Sequence, residues 1–465
     1  LRPSIGDGYA EDSLKVLLLN PAAKTRLQRA EISSTTTKAR YYECPVDLLA
    51  PSGLIATEHD VHVIDAIVEE LTEDEVWTRI QRLKPDVILA LVSIASGQSD
   101  LTFLKRCKDR LGCKIILTGD ICYIRPDLTI QAEGVDALCL QYPAAGILNY
   151  LRGEDSPGDI VYKDESGVHQ GEFSKGPVSF PSPAYTAFPL KRYSTPIMQY
   201  SPFVSVLTSL SCPMQCAYCS HSSTTYRSRP LEEVFSELKA HHDRGIREVY
   251  FADLMFNSEL KRTKGLCRGL IERKLRFSWY CQMRPDKIDA ELLDLMKKSG
   301  CHTVMFGVES SDPDILRSVK REIDLDKIHW AFAECRRRGM RTLAYMLLGL
   351  PGETWESAQR SIDFVFSLDP DYLSVNLFAP RMGSAFMRRY KSLDELLAPQ
   401  PDLDSTLTES SHCGLTGAQL MELRRRAIRR FYLRPMLLIR HVAKIKTFFQ
   451  LREIIVGGLN LLLRN

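Results

Sequence analysis

The chain has 465 residues, of which 44% are hydrophobic and 26% charged, with a formal net charge of +3. At roughly 150 residues per domain this length holds two or three domains, each able to bury a core, which excludes a small stapled scaffold. The near-neutral charge excludes a global bias toward nucleic acid, so any basic character must be local.

From Leu14 the sequence alternates short apolar runs with helical patterns: LKVLLLN, HVIDAI, DVILALVS, KIILTG and VDALCL, separated by stretches such as EDEVWTRIQRLK. Continuous apolar strands alternating with helices predict a parallel sheet covered on both faces, hence an α/β, doubly wound, Rossmann-like domain over 13–152. A Gly-, Pro- and Ser-rich stretch over 153–200 reads as a linker with a hairpin around DIVYKDESGVHQGEF. A second alternating series, from VSVLTSLS through REVYFAD, RFSWYCQM, HTVMFGVE and RTLAYMLLG to DYLSVNLFAP, gives about six β/α units over 201–395. That is short of the eight that close a full barrel, so the spacing predicts a partial (β/α)6 barrel. In such sheets ligands sit at the carboxyl ends of the strands. A helical, basic segment over 396–465 completes the chain, with Pro435 expected to end or kink its first helix.

The 13 cysteines are odd in number. Apart from one trio they are scattered, which argues against a disulfide framework and for a reducing compartment. The opening LRPSIGDGYAEDS has neither the basic start nor the apolar middle of a secretory signal. No apolar run reaches the ~18 residues of a membrane span. The chain therefore reads as cytoplasmic, and the absence of an initiator Met suggests a trimmed sequence. In the tail, Arg424, Arg425, Arg426, Arg429, Arg430, Arg434, Arg440, Lys444 and Lys446 alternate with Leu, Ile and Phe. Such a pattern suits either peripheral contact with an anionic membrane, and so a lipid-like substrate, or a helix packed on the barrel with solvated arginines.

The trio is the informative cluster. SLSCPMQCAYCS follows the first barrel strand and places Cys212, Cys216 and Cys219 in the loop at its carboxyl end. Thiolates at this spacing can each take one iron of a 4Fe–4S cluster and leave the fourth iron to a non-protein ligand. A structural zinc site would need a fourth ligand, for which His221 is the nearest residue.

The segment CPMQCAYC, with Tyr218 before the third cysteine, resembles the signature of the radical S-adenosylmethionine (SAM) superfamily. FADLMFN also resembles that family's acidic-then-aromatic segment, with Leu254 where a second Asp is common. MRPDKIDAELLDLMKKSGC, FGVES, LLGLPGET and FYLRP are similar to the branch carrying an N-terminal cobalamin-binding domain. The resemblance implies a cluster that cleaves SAM reductively to start radical chemistry, fed by a low-potential donor such as flavodoxin or ferredoxin.

The resemblance also implies roles at the strand exits. Asp253 would hold the SAM ammonium, unless it caps the next helix. Glu309 and Ser310 would bond the ribose, unless they cap the helix near Asp312. Arg284 would face the methionyl carboxylate, Gly349 would allow close approach of adenine, and Tyr218 would stack on adenine or pack beside the cluster loop. Ser93 and Gly119 fall where the cobalamin module contacts its nucleotide tail. The module's axial histidine motif is absent, because the loop after LLLN reads PAAKTRLQRA.

The function expected is cobalamin-dependent methylation of an unactivated carbon in a small-molecule or lipid-like substrate, without nucleic acid. Radical-driven ring formation, rearrangement or addition, with a structural N-terminal domain, is the alternative. An electron-transfer or scaffold role is the non-enzyme reading. PRMGSAF replaces a Pro-Gly-Thr turn common in relatives at the sixth strand's exit.

Overall fold

A computed structural model describes residues 13–24, 27–29, 35–36, 42–140, 146–154, 157–172, 174, 176–219, 221, 224–378, 413–443, 447 and 451–452. The PRMGSAF turn, Lys444 and Lys446 lie outside these residues.

The first sheet is built on β1 (Lys15–Asn20), β2 (Asp60–Asp65), β3 (Val87–Leu91), β4 (Lys114–Thr118) and β5 (Ala137–Cys139). These five pair in parallel in the order β2-β1-β3-β4-β5. Both faces are covered, which is why β3 reads VILAL and is buried throughout. One face packs on α1 (Val46–Ile55) through Leu48 and Ile55, the other on α2 (Glu73–Leu83) and α3 (Gly97–Leu111) through Val76, Ile80, Phe103 and Leu104. Helix α2 starts on a capping box, Thr72 with Glu75, and α3 stops at Gly112, whose φ of 68° suits glycine.

The hairpin in the 153–200 stretch is not linker. Its strands β6 (Ile160–Asp164) and β7 (Gly167–Gln170) add antiparallel to the edge of the first sheet, because Ile160 and Val161 have an apolar face to bury beside Leu138 and Cys139. The remainder of the stretch ties the two sheets together. Tyr193 donates to Asp65 at the end of β2 (2.9 Å), and the Tyr185 hydroxyl lies 2.7 Å from Ser205 O and 2.6 Å from Glu237 in the barrel.

The second sheet runs β8 (Phe203–Val206), β9 (Glu248–Phe251), β10 (Ser278–Met283), β11 (Cys301–Glu309), β12 (Arg341–Leu348) and β13 (Tyr372–Leu377). All pairs are parallel and in sequence order, an open six-stranded partial barrel with helices on its outside. One apolar core runs from Leu18 and Leu89 of the first sheet through Met198 and Tyr193 into Val204, Phe251, Trp279 and Phe306 of the second.

Helix α4 (Gly417–Tyr432) buries Leu420, Leu423, Ala427, Ile428 and Phe431 against the barrel, and Arg424 donates to Val375 O of β13 (3.0 Å). Pro435 opens the following helix, α5 (Pro435–Ala443), in the first turn, where its missing N–H costs nothing. The basic residues here are largely engaged within the protein: Arg426 with Glu422, Arg430 with Asp363, and Arg434 and Arg440 with Asp369. Leu433, Met436 and Ile439 remain exposed. Among the described residues no helix is long and apolar enough to cross a membrane.

Candidate active site

The cysteine loop leaves β8 through a pinched neck. Ser209–Leu210 pairs antiparallel with Arg227–Ser228, so the intervening residues bulge out as a closed loop carrying Cys212, Cys216 and Cys219. Ser211 turns into it with φ 61°. Asp253, two residues beyond the end of β9, holds the neck: its carboxylate accepts from Thr208 N (2.6 Å), Thr208 Oγ1 (2.5 Å) and Ser209 N (3.0 Å). Arg262 reinforces it by donating to Thr208 O (2.8 Å) and Arg229 O (2.6 Å). On the far side Ala217 N donates to Val319 O (2.9 Å).

The three cysteines line one cavity of about 180 Å³ together with Tyr218, His221, Arg284, Glu309, Arg321 and Tyr345. Among the described residues no three donors converge as a single ion would require. Burial holds the Cys212 thiol above its usual range, with Cys216 adding to the effect.

Arg321 is the residue that sequence reasoning missed. Its guanidinium lies 3.9 Å from Cys216 Sγ, donates to Gly307 O (2.5 Å) and is 3.7 Å from Glu309. No local pattern in VKREID flags it, because its partners come from strand β11 and from the cysteine loop. Glu309 stands in the left-handed region at φ 66°, rare for a non-glycine residue and costing about 1–3 kcal/mol, as is common where a site dictates the backbone. Burial pushes its carboxyl up, while Arg321 and Arg284 pull it back. Arg284 also faces the cavity, held by Asp286 (2.9 Å) and donating to Glu322 O (2.9 Å). His221 keeps its ring within 3.0 Å of Thr224 Oγ1, and burial lowers its pKa to about 3, so it is neutral.

Other residues singled out from the sequence are placed differently. Asp253 does not line the cavity; its carboxylate is consumed by the loop neck, where two backbone N–H groups would otherwise lack a partner. Ser310 is buried away from the cavity, sharing its hydroxyl with Ser361 (3.1 Å) and accepting from Asp312 N (3.1 Å). Gly349, at φ 90°, donates its N–H to Glu353 (2.5 Å), and an added Cβ would lie 3.1 Å from Leu420 of α4, which covers the turn. Tyr218 packs with Ile315, Val319, Leu350 and Phe378.

In the first domain Ser93 and Gly119 are neighbours at the carboxyl edge of the sheet. Ser93 Oγ accepts from Ala95 N (3.1 Å), and Gly119 at φ 112° passes so close to Val92 O that a Cβ would lie 2.2 Å from it. At the exit of β1 the loop places Arg29, fully buried, between Asn20 (2.8 Å), Pro21 O (2.6 Å) and Asp100 (2.8 Å).

Residues 206–365 match the model of the radical SAM superfamily. Along almost its whole length the chain is similar to an uncharacterized methyltransferase of Pyrococcus horikoshii, 27% identical over 471 residues, 95% of this chain and 97% of that protein. A tryptophan 2-C-methyltransferase of Streptomyces laurentii is 29% identical over 203 residues, 39% of this chain and 34% of that one. The fold is similar to that of the radical SAM methyltransferase TsrM from Kitasatospora setae, solved with cobalamin and a 4Fe–4S cluster, at TM-score 0.62 and 18% identity over 80% of this chain and 77% of that one. It is also similar to the cobalamin-dependent SAM radical enzyme OxsB, at TM-score 0.61 and 16% identity over 89% and 61%.

Residues 206–365, the greater part of the barrel, are thus a radical SAM domain, and a doubly wound domain precedes them. The chain is a radical SAM enzyme, and its cofactors include a 4Fe–4S cluster and SAM.

Proposed function

We propose that this enzyme methylates a carbon of a small-molecule substrate with the help of cobalamin held by the N-terminal domain, and that Cys212, Cys216 and Cys219 are the cluster ligands. One observation carries the reading furthest: Tyr193, on the stretch leading into the barrel, donates to Asp65 at the carboxyl end of β2 (2.9 Å), and its neighbour Ser194 bridges Tyr42 on the connection that follows β1. The carboxyl edge of the first sheet is thus fastened to the segment that enters the barrel, which would let two cofactors act on one substrate. When bound, the cluster supplies the electron that breaks the S–C5′ bond of SAM, and cobalamin supplies a methyl carrier.

The protein's own part is to position and to exclude water. Arg321 places a fixed positive charge beside Cys216, and the Arg321–Glu309 and Arg284–Asp286 pairs provide charged groups on the cavity wall for the ribose hydroxyls and the amino-acid end of SAM. For cobalamin, Ser93, Thr118 and Gly119 form the edge that would meet the nucleotide tail. Thr118 Oγ1 is buried there with no partner among the described residues, the kind of group a bound ligand satisfies. No histidine stands in the loop after Asn20, so cobalamin would bind with no nitrogen ligand from that loop.

A low-potential flavodoxin or ferredoxin would supply electrons, and a reducing compartment suits 13 cysteines all present as free thiols. Peripheral membrane contact would have to use Leu433, Met436 and Ile439, since much of the basic set is paired internally.

The buried Arg29–Asp100 pair at the exit of β1 favours the second reading, a structural first domain with radical chemistry but no methyl transfer. Anaerobic reconstitution with hydroxocobalamin separates the two. Stoichiometric binding with a base-off spectrum supports methylation, and failure to bind at micromolar concentration hands the reaction to the second reading.

A further inference from the structure

Two guanidinium groups line the cysteine cavity, and they are held differently. Arg284 is taken up by Asp286 in a two-point fork, Nε to Oδ1 and Nη2 to Oδ2, both 2.9 Å. Arg321 has no such fork. Its Nη2 donates to Gly307 O (2.5 Å) and stands 3.7 Å from Glu309, and its Nη1 lies 3.9 Å from Cys216 Sγ. Its buried Nε has no partner among the described residues. Arginine stays charged in a protein, so this is a buried cation with donors to spare, placed against one ligand of the cysteine trio.

The contact is fixed from both sides. Ala217, next to Cys216, donates its N–H to Val319 O (2.9 Å), and Arg321 N donates to Leu316 O (2.8 Å), so backbone bonds hold the cysteine loop against the turn that carries Arg321. On β11, Gly307 leaves the room: a Cβ there would lie 2.7 Å from Arg321 Nη2 and 2.6 Å from Glu309 Oε1. Gly307 is not left-handed, so the close approach of these side chains, and not its backbone, requires the glycine. One-electron reduction adds a negative charge to a 4Fe–4S cluster, and a fixed cation beside a ligand sulfur favours that form. Net charge and hydrogen bonds to the sulfurs are among the factors that set such potentials, and burial leaves the attraction poorly screened.

We propose that Arg321 is a positioning residue that raises the reduction potential of the cluster through Cys216, and that Gly307 is the spacer that admits it. This rests on the reading of Cys212, Cys216 and Cys219 as the cluster ligands. The test is a redox titration, followed by electron paramagnetic resonance, of the full-length, anaerobically reconstituted protein without SAM. Arg321→Gln should make the cluster about tenfold harder to reduce, a midpoint lower by about 59 mV for one electron. Arg321→Lys, which keeps the charge, should recover part of that shift. Gly307→Ala, which keeps the arginine but displaces its guanidinium, should shift the midpoint in the same direction as Arg321→Gln. If Arg321→Gln loads no iron, Gly307→Ala alone decides. A purely structural role would lower iron content and leave the midpoint of the loaded fraction unchanged; that result, or a higher midpoint, overturns the proposal. Failure of the cluster reading looks different: the wild type itself would then load no iron and give no signal on reduction.

Discussion

Replacing Asp253 separates a structural anchor from a SAM ligand. Its carboxylate accepts three hydrogen bonds from Thr208 and Ser209, and the residue is 1% exposed. Asp253→Ala leaves two buried backbone N–H groups without acceptors, at about 1–3 kcal/mol each, so a loss near 3 kcal/mol follows before any relaxation. Asp253→Asn keeps one acceptor oxygen toward both N–H groups, and its amide can donate to Thr208 Oγ1, so its loss should be about 1 kcal/mol. The neck of the cysteine loop loosens in the same order. Urea unfolding of the anaerobic protein, paired with iron and sulfide analysis, should show Ala well below Asn and Asn just below wild type in both stability and cluster content. A ligand of the SAM ammonium predicts another pattern: full cluster and unchanged stability in both variants, with lost SAM affinity. That pattern would refute the anchoring role.

Glu353 is fully buried, and burial raises its carboxyl to about 7 against an ordinary 4.5. A raised carboxyl contributes stability that is complete below pH 4.5 and is lost as pH rises toward 7, so wild type should weaken over that window. Glu353→Gln should remove this loss, and its stability advantage over wild type should grow from pH 5 to pH 8 by up to about 3 kcal/mol; a pH-independent difference would contradict the assignment. The buried cysteines Cys107, Cys267 and Cys335 pack in the cores, so their Ala variants should lose about 1 kcal/mol of stability and no iron. Changing Leu433, Met436 and Ile439 together to Ser should abolish sedimentation with anionic liposomes, whereas equal recovery of the wild type in the supernatant with and without vesicles would show no membrane contact.

The strands and the cysteine loop were readable because their signals are local. VILAL, short, rich in branched apolar residues and bounded by polar stretches, reads as a doubly covered strand, and three cysteines within eight residues need no partner from elsewhere. The 160–170 hairpin was readable as a hairpin but not as sheet, since pairing with β5 is a tertiary choice. Asp253 and Arg321 were opaque for a shared reason: each is defined by groups far along the chain. Thr208 lies 45 residues before Asp253, and Cys216 lies 105 before Arg321. A carboxylate at a strand exit can turn into the cavity or back to the preceding loop, and only the fold decides which. Ser310 bonds at the start of the Asp312 helix, its alternative to ligand contact, and Leu420 covers the Gly349 turn, while Glu309 and Arg284 reached the cavity wall.

The most direct measurement is the iron content, visible absorbance and SAM cleavage of anaerobically reconstituted wild type beside Cys212→Ala, Cys216→Ala and Cys219→Ala. Wild type should hold about four irons per chain and release 5′-deoxyadenosine under a low-potential reductant, and each variant should lose both the cluster absorbance and the cleavage. A full four-iron cluster in Cys216→Ala, or a wild-type protein that carries zinc and leaves SAM intact, would contradict the assignment of this loop.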